Sequence, residues 1–369
     1  MSTAFFHDER TLWHEPAHNY VSTMRTGGWV QPSAVEGFID SPESKRRIKA
    51  LMDVSGLTSR LTVTSAQAAD EEDLSRVHSR SYLARFKAGS DAGGGELGPL
   101  APYGPGGYEI AALSAGLATT AMESVVSGNF DKAYALTRPC GHHASRDTGM
   151  GFSLLNNIAI GIEAMKERHG LGKVAVIDWD VHHGNGTQQI FYARNDVLTV
   201  SLHQENCYPP GSGAFAERGE NQGLDHNLNV PLLAGGGHAA YLYALERLVF
   251  PAVERFQPEL IVVASGLDAN CMDPLARMQL YPESFRQMTL QVRELASALC
   301  KGRLAMVHEG GYSQVCVPFC GLATLEALSG YRTEVPDPFM SSFAGKQPSH
   351  RFECLQREQI DEMAEAFGF

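Results

Sequence analysis

Asp178, Asp180 and His182 alternate through "VIDWDVHHGNGT", residues 176–187, directly after an apolar run. In an extended chain alternate side chains share a face. Two carboxylates and an imidazole then form one row, while Trp179 and Val181 point the other way. Carboxylate oxygen and imidazole nitrogen are donors that a zinc-type ion takes, and a catalytic site of that type keeps a position open. Asp180 and His182 supply two such ligands. Asp268, at the end of "IVVASGLD", is the best third. Taken singly, each has a plainer role: such an Asp often caps the next helix, and a His pair can lie on the surface. A metal at this place would acidify water and polarise a carbonyl.

Hydrolysis also needs a proton acceptor for water and a proton donor for the leaving group. "GHH" offers His142 and His143 at the end of another apolar run. A neutral imidazole suits neutral pH and needs a partner that fixes its tautomer. Asp178 can orient one ring and Asn185 the other. "EGGY" ends a further run; Gly310 and Gly311 let backbone approach closely, and Tyr312 can donate to a developing oxyanion. Alone, that stretch is a Gly-Gly turn with a packing Tyr.

These side chains need a scaffold that gathers them. "KAYALTRPCGHH", "KVAVIDWDVHHG", "VLTVSLHQ", "ELIVVASGLDA" and "RLAMVHEGGY" each begin with aliphatic or β-branched residues and no polar alternation. Such runs suit strands of a parallel sheet buried on both faces. Between them, Glu109–Val126, Leu154–Arg168, Ala239–Phe256 and Glu283–Cys300 have helical spacing, and in the third Tyr241, Leu245, Leu248 and Val249 share a face. Strands alternating with helices predict an α/β domain. In every run the polar residues stand at the C-terminal end, the edge at which open α/β sheets bind ligands.

"SPESKRRIKALM" predicts a helix with Pro near its start. Its Lys45–Arg46–Arg47 reads as a solvated face. The Gly/Pro-rich residues 90–107 suit a long loop near the site better than a domain linker. From Glu334 a proline-bearing loop leads to a helix containing "EQIDEMAEAF". The whole chain, 1–369, reads as one catalytic domain, with a loop-rich N-terminal part over 1–107 and a C-terminal tail over 332–369.

A net charge of −12 and the lack of a long Lys/Arg run argue against a nucleic-acid partner. Seven dispersed cysteines without a C-x-x-C pair fit a reducing cytosol. No stretch approaches the ~20 apolar residues of a membrane span. The expectation is a cytoplasmic protein with no membrane partner. The N-terminal aromatics Phe5, Phe6 and Trp13 suit core packing better than an interface.

In this order, "RPCGHHA", "DWDVHHGNGT", "SGLDA" and "EGGY" resemble the histone deacetylase and acetylpolyamine amidohydrolase superfamily. "SPESKRRIKAL" looks like its His-Pro-Glu…Arg segment, "VHSRSYLARF" its His-Ser…Tyr segment, and "MGFSLLNN" its Gly-Phe-Cys…Asn segment. The resemblance spans residues 5 to 330. The Asn of "HHGNGT" and the N-terminus look closest to class II histone deacetylase-like bacterial amidohydrolases. It implies one arginase/deacetylase-type α/β domain with a central eight-stranded parallel sheet flanked by helices. It implies zinc on Asp180, His182 and Asp268, with Fe2+ as the alternative ion in the cell. His143 would be the general base or acid, with His142 its partner and Asp178 behind it, and Tyr312 would polarise the acyl carbonyl. A structural potassium ion is implied near Asp178, Asp180, His182, Ser201 and Leu202. Phe152 with Gly151 matches one wall of the acyl-lysine channel, Tyr208 or Pro209 the other, with Leu275, Gly310 and Gly311 completing it.

Three positions depart from that pattern. Cys140 replaces a proline of "RPPGHH", Gly104 or Gly106 stands where a substrate-gripping Asp is common, and "SPE" replaces "HPE". Tyr312 is retained. The implied activity is zinc-dependent hydrolysis of an acyl, chiefly acetyl, amide on a lysine-like amine, presented by a peptide or small molecule. The alternatives are an acetylpolyamine amidohydrolase, disfavoured by apolar Leu275 near the channel mouth, and a non-catalytic metal-dependent acyl-lysine binding module. An arginase-type ureohydrolase would need more metal ligands than "DWDVHHG" and Asp268 supply. Relatives of this type self-associate, so a homo-oligomer, dimer or tetramer, is expected.

Overall fold

The computed structural model describes residues 2–16, 20–26, 29–31, 37–338 and 340–369. The loop-rich part expected over 1–107 falls outside the described residues at 1, 17–19, 27–28 and 32–36.

The five apolar runs are strands, and three further segments join them. In chain order they are β1 (Thr3–Phe6), β2 (Thr62–Thr64), β3 (Lys132–Ala135), β4 (Val174–Asp178), β5 (Val197–Gln204), β6 (Asn227–Leu232), β7 (Leu260–Ser265) and β8 (Leu304–His308). They form one eight-stranded sheet in the order β6-β5-β4-β7-β8-β3-β1-β2. Every pairing in it is parallel. The chain is thus a single α/β domain with helices on both faces of the sheet.

Alternation along the strands divides the core. Ala175, Ile177, Ile261, Val263, Leu304 and Met306 face one apolar layer. Val174, Val176, Leu260, Val262, Ala305 and Val307 face the other. The first layer is covered by helices Glu43–Val54, Pro282–Leu299, Val317–Ser329 and His350–Phe367, the second by Gly107–Val126 and Asn157–His169. Tyr241, Leu245, Leu248 and Val249 are all fully buried in the first layer. Their helix carries a π-turn at Leu245–Val249, immediately before Pro251. A proline ring clashes with the carbonyl one turn back, and a wider turn relieves that clash.

Phe5 and Phe6 are core residues of β1, whereas Trp13 is 73% exposed. Lys45 corrects the solvated-face reading of its basic stretch: it is buried, because its ammonium pairs with buried Asp40 at 2.6 Å. No helix among the described residues is long and apolar enough to cross a membrane.

Sheet order locates the site. From β4 the chain proceeds outward through β5 and β6; from β7 it proceeds the other way through β8. The order reverses between β4 and β7, and their carboxyl ends open a crevice there. Asp178–His182 leave β4 at this point, and Asp268 follows β7.

Candidate active site

Beyond Asp178 the backbone leaves the sheet, yet the expected separation of side chains persists. Trp179 and Val181 enter the apolar core. Asp180 and His182 turn toward Asp268, and the His182 Nδ1 lies 3.1 Å from both Asp180 Oδ1 and Asp268 Oδ2. One donor atom from each of these buried residues lies within 4.8 Å of the others. Backbone N–H groups aim the carboxylates: His182 N donates to Asp180 Oδ1 at 2.9 Å, Gly310 N to Asp180 Oδ2 at 2.7 Å, and Val181 N to Asp268 Oδ1 at 2.8 Å. A Cβ on Gly266 would overlap Asp180, and one on Gly310 would overlap Asp268, so neither position admits a side chain. Burial, then the charge of Asp180, raises the Asp268 carboxyl to about 6. Burial opposes a charge on His182, but its bonds to Asp180 and Asp268 outweigh it and raise the imidazole well above its usual range. The field favours a cation between these donors. One nitrogen and two carboxylates, buried and preoriented, fit a divalent ion of zinc type.

The loop after β3 delivers the two histidines. Its backbone is held by Glu309, whose Oε2 accepts from Gly141 N at 2.7 Å and His142 N at 3.1 Å. His142 Nδ1 bonds Asp178 Oδ2 at 2.9 Å, and His143 Nδ1 bonds Asn185 Oδ1 at 2.7 Å. The two ring centroids are 4.0 Å apart, and His143 lies 6.1 Å from His182. Burial opposes a charged His142, but Asp180, Asp178 and Glu309 together raise it to about 10. His143 is pushed well below its usual range, by burial first and then by His142 and His182. One imidazole thus favours the charged form and its neighbour the neutral form. Donating Nδ1–H to Asn185 leaves the His143 Nε2 free to accept a proton.

Tyr312 closes the third side. Its N–H donates to Asp273 Oδ2 at 2.9 Å, while Asp273 Oδ1 accepts from Leu275 N at 2.9 Å. Tyr312, His143, His182, Phe152, Gly151, Tyr208 and Leu275 line a cavity of about 200 Å³, together with Thr23, Leu100 and Cys207. The Phe152 ring meets Tyr312 edge-on at 5.7 Å, and Tyr208 meets His143 edge-on at 5.1 Å. Gly151 has φ +51° and a Cβ there would strike His143 and Tyr208, which is why this wall can stand so close to the imidazole.

Several sequence expectations are redirected here. Of the pair Tyr208 or Pro209, the lining residue is Tyr208; Pro209 is buried and outside the lining. Gly310 and Gly311 do not line the cavity; they lead into Tyr312, with Gly310 N–H bonded to Asp180 and the Gly311 carbonyl to Ser44. Gly104 and Gly106 are not lining residues either, and Gly106, with φ +72°, caps the helix Gly107–Val126. Cys140 sits behind the wall in an apolar cluster with Phe152 and Tyr312, its Sγ 3.3 Å from Ser153 Oγ. Leu100 brings the Gly/Pro-rich loop to the site. Ser201 lies beside Asp178 in the sheet register, and its Oγ bonds His203 Nδ1 at 2.9 Å. Leu202 follows it, fully buried. Asp273, which holds the Tyr312 backbone, was not picked out from sequence, and Glu309, which holds that of His142, stood out only as the start of the polar tip Glu309 to Tyr312, with no role. Their signal was faint: a lone acid beside "GGY" and another before "PLAR".

Residues 40–328 match the histone deacetylase domain. The chain belongs to the histone deacetylase family. It is 58% identical over 366 residues to a histone deacetylase-like amidohydrolase of Pseudomonas aeruginosa, covering 99% of this chain and 96% of that protein. It is 33% identical over 340 residues to histone deacetylase 8 of Arabidopsis thaliana, covering 89% of each. Among solved structures it resembles the HDA15 HD domain, with a TM-score of 0.81 and 28% identity, covering 99% of this chain and 96% of that one. Histone deacetylase family membership places the chain among hydrolases of the deacetylase and amidohydrolase class, and the buried Asp180–His182–Asp268 group accords with that family's general dependence on a metal.

Proposed function

We propose that this protein is a zinc-dependent deacylase that hydrolyses acyl, chiefly acetyl, amides of lysine-like amines. The observation that carries this reading is that His143, His182 and Tyr312 line one narrow cavity, with Asp180 and Asp268 bonded to His182 and with His142 packed against His143. Walls formed by Phe152, Tyr208 and Leu275 suit an alkyl chain that ends in an amide. Asp180, His182 and Asp268 would hold the zinc, with ferrous iron as the alternative ion. When bound, the metal supplies Lewis acidity for the acyl carbonyl and for water.

The chain's own groups divide the remaining work. Tyr312 donates its hydroxyl to the acyl oxygen and stabilises the charge that develops there. His143 Nε2 takes the proton of the attacking water, and Asn185 keeps that ring in the required tautomer. His142, tied to Asp178, holds a charge beside it. As the carbon–nitrogen bond breaks, His143 returns a proton to the departing amine, and the products are a carboxylate and an amine. The reading also includes a structural potassium ion near Asp178, Asp180, His182, Ser201 and Leu202, and a cytoplasmic homo-oligomer.

Apolar Leu275 in the lining favours acyl-lysine substrates over acetylpolyamines. Steady-state kinetics of the zinc-loaded protein on an acetyl-lysine peptide and on acetylputrescine test this, with a higher kcat/KM expected for the peptide. A preference for acetylputrescine would reverse the substrate assignment. Peptide binding without acetate release would replace the deacylase by a binding module.

A further inference from the structure

The helix Glu43–Val54 carries a lysine inside the protein. Lys45 is 1% exposed. Its ammonium lies 2.6 Å from Asp40 Oδ1, 3.5 Å from the carbonyl oxygen of Gly311 and 5.3 Å from the ring centroid of Tyr312. The neighbouring Ser44 hydroxyl donates to the same Gly311 oxygen at 2.9 Å.

Asp40 does not depend on Lys45 for a counter-charge. Arg138, also buried, places Nε 3.2 Å from Asp40 Oδ2, and its terminal nitrogens donate to the carbonyls of Asp40 and His14 at 2.7 and 2.8 Å. Burial pushes the Asp40 carboxyl up, but Lys45 and Arg138 outweigh it and hold it at about 2. His14 is pushed down to about 3, by burial and then by Arg138, and adds no charge at neutral pH. Two cations therefore share one carboxylate, and the cluster keeps a net positive charge against the ring of Tyr312. Desolvating an ammonium is costly, and Arg138 alone would neutralise Asp40. The surplus charge calls for another role.

The segment that carries Tyr312 shows what Lys45 does. Gly310 is tied at N–H to Asp180, and Tyr312 at N–H to Asp273. Gly311 between them has φ +134°, a conformation open to glycine alone. The Gly310 carbonyl accepts from Leu267 N at 2.9 Å, and the Gly311 carbonyl accepts from Ser44 at 2.9 Å and, at the longer 3.5 Å, from Lys45, which completes the anchoring of this link. A cation within about 6 Å of an aromatic face is also attracted by the ring quadrupole.

We propose that Lys45 is a positioning residue for Tyr312: it fixes the Gly311 carbonyl and sets a buried cation against the phenol ring, which orients the hydroxyl and strengthens it as a donor. Fixed charge in a dry site acts on the transition state without reorganising. The inference rests on the role given to Tyr312 under the proposed function.

A double-mutant cycle tests it on the full-length, zinc-loaded protein with an acetyl-lysine peptide, under single-turnover and steady-state conditions. Lys45→Gln keeps an amide that can reach Asp40 and Gly311 but removes the charge. It is expected to lower kcat about ten-fold, equivalent to about 1.4 kcal/mol, with KM within about two-fold of wild type. Zinc per chain is expected to stay unchanged. In a Tyr312→Phe background the same substitution is expected to cost less than about two-fold, because two groups acting through one hydroxyl are not additive. Lys45→Arg, which restores the cation, is expected to recover at least about half of the lost activation free energy. If Lys45→Gln does not fold, Lys45→Met is read by the same criteria. Wild-type kcat in the neutral variant, or an equal loss in both backgrounds, overturns the inference. Wild-type rates in Tyr312→Phe alone overturn instead the role given to Tyr312.

Discussion

Two histidine pairs stand at the ends of strands, His142–His143 and His182–His183, and they are used in opposite ways. In the first pair both rings belong to the site: His143 lines the cavity and His142 packs against it, their Nδ1 atoms bonded to Asn185 and Asp178. In the second only His182 does. His183 turns away, bonds Ser212 and Gln188, and packs against His203 with centroids 4.9 Å apart. Burial pushes His183 down to about 4, which suits a neutral ring in a structural network. Backbone path makes the difference. The second pair follows the bends beyond β4, where His182 is drawn to Asp180 and Asp268 and His183 to Ser212 and Gln188; the first follows Gly141 in a turn, and its two rings pack with centroids 4.0 Å apart. Within the first pair the surroundings and the bonded partner together set the charge. At His142 the carboxylates of Asp180 and Asp178 outweigh burial and favour the imidazolium. At His143 burial, then His142 and His182, favours the neutral ring, and the uncharged Asn185 does little to offset them. Identical dipeptides thus acquire different chemistry from their neighbours.

The sharpest way to break this contrast is to strip the cation donors. Asp180→Ala, or treatment with a chelator, is expected to take acetate release to background, with zinc per chain measured by elemental analysis; added zinc restores the chelated wild type but not the variant. Next, His143→Ala is expected to lower kcat by about 10²- to 10⁴-fold, the usual worth of a positioned acid–base group, while zinc content stays intact. Near-wild-type turnover in that variant would remove His143 from the mechanism.

Asn185→Asp tests the partner rule itself, because it gives His143 the kind of neighbour His142 has. A carboxylate raises an imidazole's pKa, and the base must be neutral to accept a proton. The acid limb of the kcat/KM profile is therefore expected to move to higher pH, with about 10- to 100-fold lower activity below the new limb. An unshifted limb would mean that Asn185 does not govern this ring. The smallest effect is expected at His183. His183→Gln leaves kcat within about two-fold but costs about 1–3 kcal/mol of stability, as a broken buried hydrogen-bond network does, read from denaturant melts. A large loss of kcat there would erase the distinction between the pairs.

The amino-acid sequence announces its elements unevenly along the chain. The five long apolar runs were legible because both faces of a central parallel strand are buried. β1, β2 and β6 were not. β2 is three exposed residues at one edge of the sheet. β6 is the other edge, and its "NLNVPL" carries two Asn and a Pro that an edge tolerates. Asn227 and Asn229 both donate to Gln188, a pairing that no local pattern announces. In the site, the Asp178–Asp180–His182 row was legible because alternation is a local rule. Glu309, Asp273 and Lys45 were not, because each acts on backbone distant in sequence. Lys45 in particular sits among arginines at a helix start, where only the position of Asp40 and Arg138 reveals that it points inward.

The sheet order carries a further consequence, for how the chain folds and unfolds. Asp180 and Asp268 follow neighbouring strands but are separated by everything from residue 180 to residue 268, including β5, β6 and the long helix after them. The donor set cannot exist until β4 and β7 have paired across that interval. Any ion that bridges it closes a long loop, and closing long loops removes entropy from the unfolded chain. With an ion bound, the same three side chains would act as a clasp on the centre of the sheet, and amide exchange in β4 and β7 is expected to slow on loading more than at the sheet edges.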